Sequence, residues 1–205
     1  MSGGCGPAAA LSLALLVLPP RPTPTPAEPD ADGARVERPV RFVGPAPEMR
    51  KLAPLVGTWT FNERWAEPAR YKRGSYEGEP GPGGSGTLIV SLGPGGFSLV
   101  ADSDARNPMG SVTARRILAW DPGRRLYELD EIHSAFPGVL HLTGRFEAGD
   151  LVFRGTDTRT GTERSVRLVW KGLGRDAWTE DASEAPANGA FEPVVTTGFT
   201  RASPR

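Results

Sequence analysis

Three side chains in this sequence have the types and spacing to act together: Arg116, Glu131 and His133. They flank the turn at residues 122–125, in two segments where apolar and polar residues alternate. If that turn sets Asp121 opposite Leu126, then Trp120 faces Tyr127, Leu118 faces Leu129, Arg116 faces Glu131 and Ala114 faces His133. All of these then project from one side of a sheet. An arginine on the inner face of a small barrel can hold a ligand carboxylate through paired N–H bonds, and Tyr127 can add a hydroxyl donor. Glu131 and His133, two apart on a strand, could serve as base and acid or as two ligands of a metal. Two readings compete with these. Arg116 and Glu131 can form an internal ion pair that carries no ligand. A one-residue slip would turn Leu126, Glu128, Asp130 and Ile132 inward and expose Glu131 and His133.

Other reaction chemistries find little material. His141 falls on a polar face, and no third ligand accompanies Glu131 and His133, so no metal is expected. Asp102 and Asp104 read as loop carboxylates just after a strand, without the glycine and glutamate spacing of a calcium loop. The glycine-rich run at residues 81–86 lacks the lysine and following helix of a phosphate loop, and is expected to be a flexible loop. No serine sits in a G-x-S-x-G elbow, and no acid–His–Ser series presents itself. Cys5 is the one cysteine, which excludes an intrachain disulfide and a cysteine metal cage. No cofactor is expected.

The elements that must position these residues are strands. Residues 47–55 suit one short helix, with proline near its start and an acid in its first turn. Met49, Leu52 and Leu55 would share its buried face, and a strand over 57–65 follows at once. Beyond the glycine-rich run, 87–92 meets 97–101, 112–120 meets 126–134, 139–146 meets 151–156, and 165–170 meets 177–181. A strand over 194–200 closes the series. Every connection carries glycine, some with aspartate or proline, which supply the dihedrals of tight turns. About ten strands in consecutive hairpins predict an all-β, antiparallel up-and-down barrel or sandwich, and closure would remove the exposed edges. Inward rows follow from alternation: Leu140, Leu142, Gly144 and Phe146, continued by Leu151 and Phe153, and then Val166, Leu168 and Trp170.

Bulk composition sets the frame. The 205 residues fit one domain with an appendage. Lys+Arg and Asp+Glu are 24 each, so no net field draws the chain to nucleic acid, and no nucleic-acid partner is expected. Residues 8–18 form an apolar run of signal-peptide length, too short to span a membrane of ~20 residues. Residues 1–27 are therefore read as a signal peptide for export to the periplasm or beyond, although no basic residue precedes the run. Residues 28–45 continue a proline-rich stretch that reads as an extended, disordered tether. The folded barrel is expected over 46–202. Nothing in the sequence signals an oligomeric state.

L-A-P-L-V-G-T-W at residues 52–59 resembles the opening of calycin-type barrels, a short helix followed by G-x-W on the first strand. G-T-L at 86–88, G-G-F at 95–97, A-W-D-P at 119–122 with Tyr127 after it, and G-R-F at 144–146 extend the likeness. This ordered series is similar to a bacterial calycin-like (lipocalin-like) family, number 1579 among the domains of unknown function. The resemblance implies a roughly ten-stranded barrel with a short helix at its base, and a Trp59 packed under its floor. It implies no activity. Related barrels bind lipids, retinoids or haem, and a haem would need an axial ligand, for which His133 is the one inward histidine.

Three functions stay open on this reading. The first is a binding module for a small, mostly apolar molecule, held against Leu118, Trp120, Leu129 and Leu142. Phe146, Phe153, Leu168 and Trp170 complete that lining, with Arg116 and Tyr127 orienting a polar head. The second is a hydrolase- or isomerase-like enzyme using Glu131 and His133 in the same cavity. The third is a filled-core domain that works through its surface or tether.

Overall fold

The protein is described from a computed structural model, over residues 44–67, 83–186 and 189–203. The signal peptide, Cys5, nearly all of the tether and the start of the glycine-rich run lie outside the described residues. Among the described residues no helix is long and apolar enough to cross a membrane.

A short helix, α1 (Pro47–Lys51), opens the described chain. It gives way to a 3₁₀ turn over Ala53–Leu55 rather than continuing to Leu55. Pro54 explains the break: its ring would collide with the carbonyl one turn back, and it has no N–H to donate. Met49, Leu52 and Leu55 are nonetheless all buried, on the face expected of them.

Ten strands follow: β1 (Gly57–Trp65), β2 (Gly83–Leu92), β3 (Ser98–Asn107), β4 (Gly110–Asp121) and β5 (Leu126–His133), then β6 (Val139–Glu147), β7 (Asp150–Asp157), β8 (Arg164–Lys171), β9 (Ala177–Pro186) and β10 (Glu192–Arg201). Each pairs antiparallel with its sequence neighbour, and β1 pairs with β10, so the sheet closes into a barrel. The turns explain the tight connections. Between β6 and β7, Ala148 and Gly149 both take positive φ, 50° and 97°, the two-residue hairpin whose twist matches its strands. Between β4 and β5, Asp121 Oδ1 accepts the N–H groups of Gly123 (2.8 Å) and Arg124 (3.1 Å).

Two expectations change. Asp102 and Asp104 belong to β3 rather than to a loop, and Asp102 pairs on the outer surface with Arg115 at 2.6 Å. Gly83–Gly86 are strand residues of β2, not part of a flexible loop. A Cβ on Gly86 would run into the Asp104 carbonyl and, at 2.5 Å, the Phe61 ring, so bare backbone is what lets β2 close against its neighbours.

The α1 end of the barrel is solidly packed. Trp59 is fully buried, its Nε1 donating to the Leu55 carbonyl at 2.8 Å. The Arg201 guanidinium lies 4.3 Å from its ring and also donates to the carbonyls of Val56 and Pro54. Trp178 stacks on Phe199 at 3.8 Å and meets Trp170 and Trp59 at 5.2 and 6.3 Å. One tryptophan thus joins the helix segment, the first strand and the last. Trp59→Ala should lower unfolding free energy by ~3–5 kcal/mol in urea denaturation. Phe97→Ala, at a position 51% exposed, should change it by less than about 0.5 kcal/mol.

Candidate functional site

The register between β4 and β5 pairs Asp121 with Leu126, Trp120 with Tyr127, Leu118 with Leu129, Arg116 with Glu131 and Ala114 with His133. Arg116 therefore points into the barrel, about midway along its axis. Its Nε donates to Glu131 Oε2 at 2.7 Å. Its other two nitrogens donate to Glu180 on β9, Nη1 to Oε2 at 2.7 Å and Nη2 to Oε1 at 3.2 Å. Trp170 on β8 adds an indole N–H to Glu180 Oε2 at 2.6 Å. In the ten-strand ring β4 and β9 lie five strands apart in either direction, so the arginine links opposite walls.

Above this crossbar, at the end away from α1, the interior is hollow. A cavity of about 500 Å³ has Arg116, Glu131 and Glu180 in its floor. Its walls mix apolar groups (Trp65, Phe136, Leu140, Val166, Leu168, Val194) with polar ones (Glu63, Asn107, His133, Asp157, Arg159, Arg164). Below the crossbar lies a void of about 20 Å³ between Leu118, Leu129, Trp170 and neighbours.

The candidates from sequence therefore separate into three groups. Arg116, Glu131, His133 and Leu168 line the large cavity. Leu118, Leu129 and Trp170 line the small void beneath it. The remaining five, Trp120, Tyr127, Leu142, Phe146 and Phe153, line neither of these spaces. Leu142 and Phe153 are buried in the packed base, as is Tyr127, whose hydroxyl donates to the Glu48 carbonyl at 3.0 Å. Burial and the nearby Glu48 push that phenol up to about 12. Trp120 and Phe146 pack on Tyr127 from the rim beside α1, with Phe146 37% exposed. His141 is on the outer surface, 2.7 Å from Asp130.

Several lining groups were not singled out from sequence. Glu180 follows Trp178 by two and Glu63 follows Phe61 by two, so extending the inward rows would have reached both. Arg159 sits in the β7–β8 connection, where no periodicity applies. Its Nε and Nη2 donate to Asp157 at 3.0 and 2.9 Å, while Nη1 lies 3.5 Å from Glu131 Oε1. Its guanidinium also sits 5.0 Å from the Phe136 ring.

Electrostatics divide the carboxyl groups. Burial alone would raise Glu131, but Arg116, with smaller help from His133 and Arg159, holds it below the usual carboxylate range. Burial likewise disfavours a charged Arg116, and the two glutamates outweigh it. Glu131 is thus an ionised, strongly held carboxylate of low basicity. His133 Nδ1 accepts the Ala135 N–H at 2.9 Å, which fixes the ring beside the β5–β6 turn. Glu63 is different: burial pushes its carboxyl up, hydrogen bonds from Trp65 and Asn107 oppose this, and Glu180 adds repulsion. Among the described residues no group of three or more His, Cys, Asp or Glu is disposed to hold a metal.

Among solved structures, the chain is similar to the crystal structure of Rv2717c from M. tuberculosis, with 13% sequence identity and a TM-score of 0.49. The match covers 78% of this chain and 99% of that one. No protein-family model matches the chain, and no curated protein does.

The geometry gives two expectations. Arg116→Met removes the main counter-charge of two buried carboxylates and should cost ~3–5 kcal/mol in urea denaturation, with Glu131→Gln and Glu180→Gln in the same chain restoring most of it. The second concerns Glu63. A carboxyl raised above its ordinary 4.5 adds stability below that pH and loses it as pH rises through the folded value. Glu63→Gln should therefore raise the melting temperature relative to the unmutated chain at pH 8 and leave it unchanged at pH 4.

Proposed function

We propose that this protein is an exported binding protein whose barrel receives one small, mostly apolar molecule in its hollow half. The observation that carries the reading is the cavity of about 500 Å³ above the floor of Arg116, Glu131 and Glu180. That volume lies within the ~300–1,000 Å³ of small-molecule sites, and its walls offer apolar surface beside many fixed polar groups. The same reading assigns the chain to the calycin-like barrels, on the ordered motifs between residues 86 and 155, and gives residues 1–27 the role of export signal.

In this reading the polar head of the ligand does not rely on Arg116, each of whose three nitrogens already donates to a carboxylate. Arg116 instead keeps the ligand out of the base and supports the floor on which it rests. The apolar part lies against Trp65, Phe136, Leu140, Val166, Leu168 and Val194.

Native mass spectrometry on protein isolated from the secreted or periplasmic fraction of its own host tests both halves of this reading. The expected result is a chain lacking its first ~27 residues, carrying one small molecule that is released on denaturation. An intact leader would refute export. A ligand-free chain that also fails to bind the neutral dye N-phenyl-1-naphthylamine would refute the binding role, and Ala182→Trp, which fills the cavity, should abolish dye binding where it occurs.

A further inference from the structure

The cavity's charges discriminate between ligand heads. Each arginine that lines it already has an acidic partner: Arg116 has Glu131 and Glu180, Arg159 has Asp157 and, at 3.5 Å, Glu131, and Arg164 has Glu184 at 3.7 Å. Arg159 is also 8% exposed and covered by Phe136, and its Nη1 approaches Glu131 at 3.5 Å without forming a hydrogen bond. Set against these three cations are five lining carboxyl groups, Glu63, Glu131, Asp157, Glu180 and Glu184. The excess is acidic, and among the described residues one acid has no cation of its own.

That acid is Glu63. It projects from β1 into both the large cavity and a second void of about 80 Å³ that adjoins the crossbar. The Trp65 indole N–H donates to its Oε2 at 2.8 Å. On the β2 side it meets Gly84, where a Cβ would come within 2.5 Å of the same oxygen, so the missing side chain is the space the carboxylate fills. On the β10 side it pairs with Thr197. The charged groups acting on it are Glu180 from β9, which repels it, and Arg116 from β4, whose nitrogens are engaged elsewhere. Glu131 and His133 from β5 line the same void. Glu63 is held in place by neutral donors and a bare backbone and keeps acceptor capacity toward the cavity.

We propose that the ligand of this cavity carries a cationic head, an alkylammonium or a comparable N–H-rich cation, and that Glu63 receives it. This rests on the binding reading above and makes it specific. An anion would meet an acidic surplus, whereas an ammonium reaches the one lining carboxyl group that, among the described residues, has no ion-pair partner. Because burial and Glu180 favour a proton on Glu63 in the empty cavity, an arriving ammonium displaces that proton. Affinity then rises as pH rises through the folded value of Glu63 and falls below it.

The test is titration calorimetry of the full chain with three probes of one length: octylamine, octanamide and octanoate. Octylamine should bind about tenfold tighter than octanamide, with octanoate weakest. Across the pH range in which Glu63 titrates in the empty cavity, the heat of octylamine binding should differ between buffers of different ionisation enthalpy, reporting release of a proton without need of any variant. Glu63→Gln should reduce octylamine to the affinity of octanamide and remove the buffer dependence. Octanoate binding as well as or better than octylamine would overturn the cationic head and leave the binding role standing. A preference for octylamine that survives Glu63→Gln would overturn the assignment to Glu63. Binding by none of the three would defeat this proposal and, with failure of the neutral dye, the binding role itself.

Discussion

The interior of this barrel is organised by one constraint: a guanidinium withdrawn from bulk water must have its charge and its N–H groups matched. Arg116 meets that demand with a glutamate on the adjacent strand and another on the opposite wall. The second partner is the consequential one. Ladder hydrogen bonds hold each strand only to its neighbours, so a closed sheet can flatten or shear without breaking them. A bond across the lumen fixes one diameter. Trp170, donating to the same glutamate oxygen as Arg116, fixes where along that diameter the carboxylate stands.

This single bridge sorts the barrel into two kinds of interior. Toward α1 the inward positions are large and apolar, and aromatic rings meet edge to face or stack until almost no space is left. Away from α1 the inward positions mix glycine, alanine and acidic residues with apolar ones such as Trp65, Leu140 and Val166, and the walls stand apart. Gly84 and Gly86 show the change within one strand, since two steps further on the inward residues are Leu88 and Val90, both buried. The helix, Trp59 and Arg201 seal the packed half, leaving the other half to vary in shape at little cost to the fold.

Much of this was legible in the residues. Glycine-bearing turns announced the hairpins, and alternation through Trp120, Leu118 and Arg116 on one strand and Tyr127, Leu129 and Glu131 on the next offered the observed register, with a one-residue slip left open until the structure decided it. What the sequence hid has a common cause. Strands expected to span 87–92, 97–101 and 177–181 in fact reach Gly83, Asn107 and Pro186, and every added residue lies at the hollow end. There the inner face is glycine, alanine or polar, so the rhythm of large apolar residues that marks a strand stops while the ladder continues. Glu180 escaped for a related reason. Its partner Arg116 is 64 positions earlier, and the run T-E-D-A-S-E around it has the composition of a solvated edge. Trp120, Tyr127 and Phe146 satisfied the inward pattern but sit below the crossbar, because alternation tells the face of a strand and not the depth along it.

Depth is where the crossbar has its last effect, for it makes the barrel a gauge. From Arg116 to the first residue of β4, Gly110, is six residues, and a strand rising ~3.4 Å per residue at a tilt near 40° covers about 15 Å of barrel axis over that stretch. A molecule seated on the Arg116–Glu180 bridge can lie within the walls over that length and no more. An extended chain of about a dozen carbons fills the gauge, and a longer one must fold back or protrude. Moving the arginine one inward step along β4, by two residues, would reset the limit by roughly 5 Å without altering the fold around it.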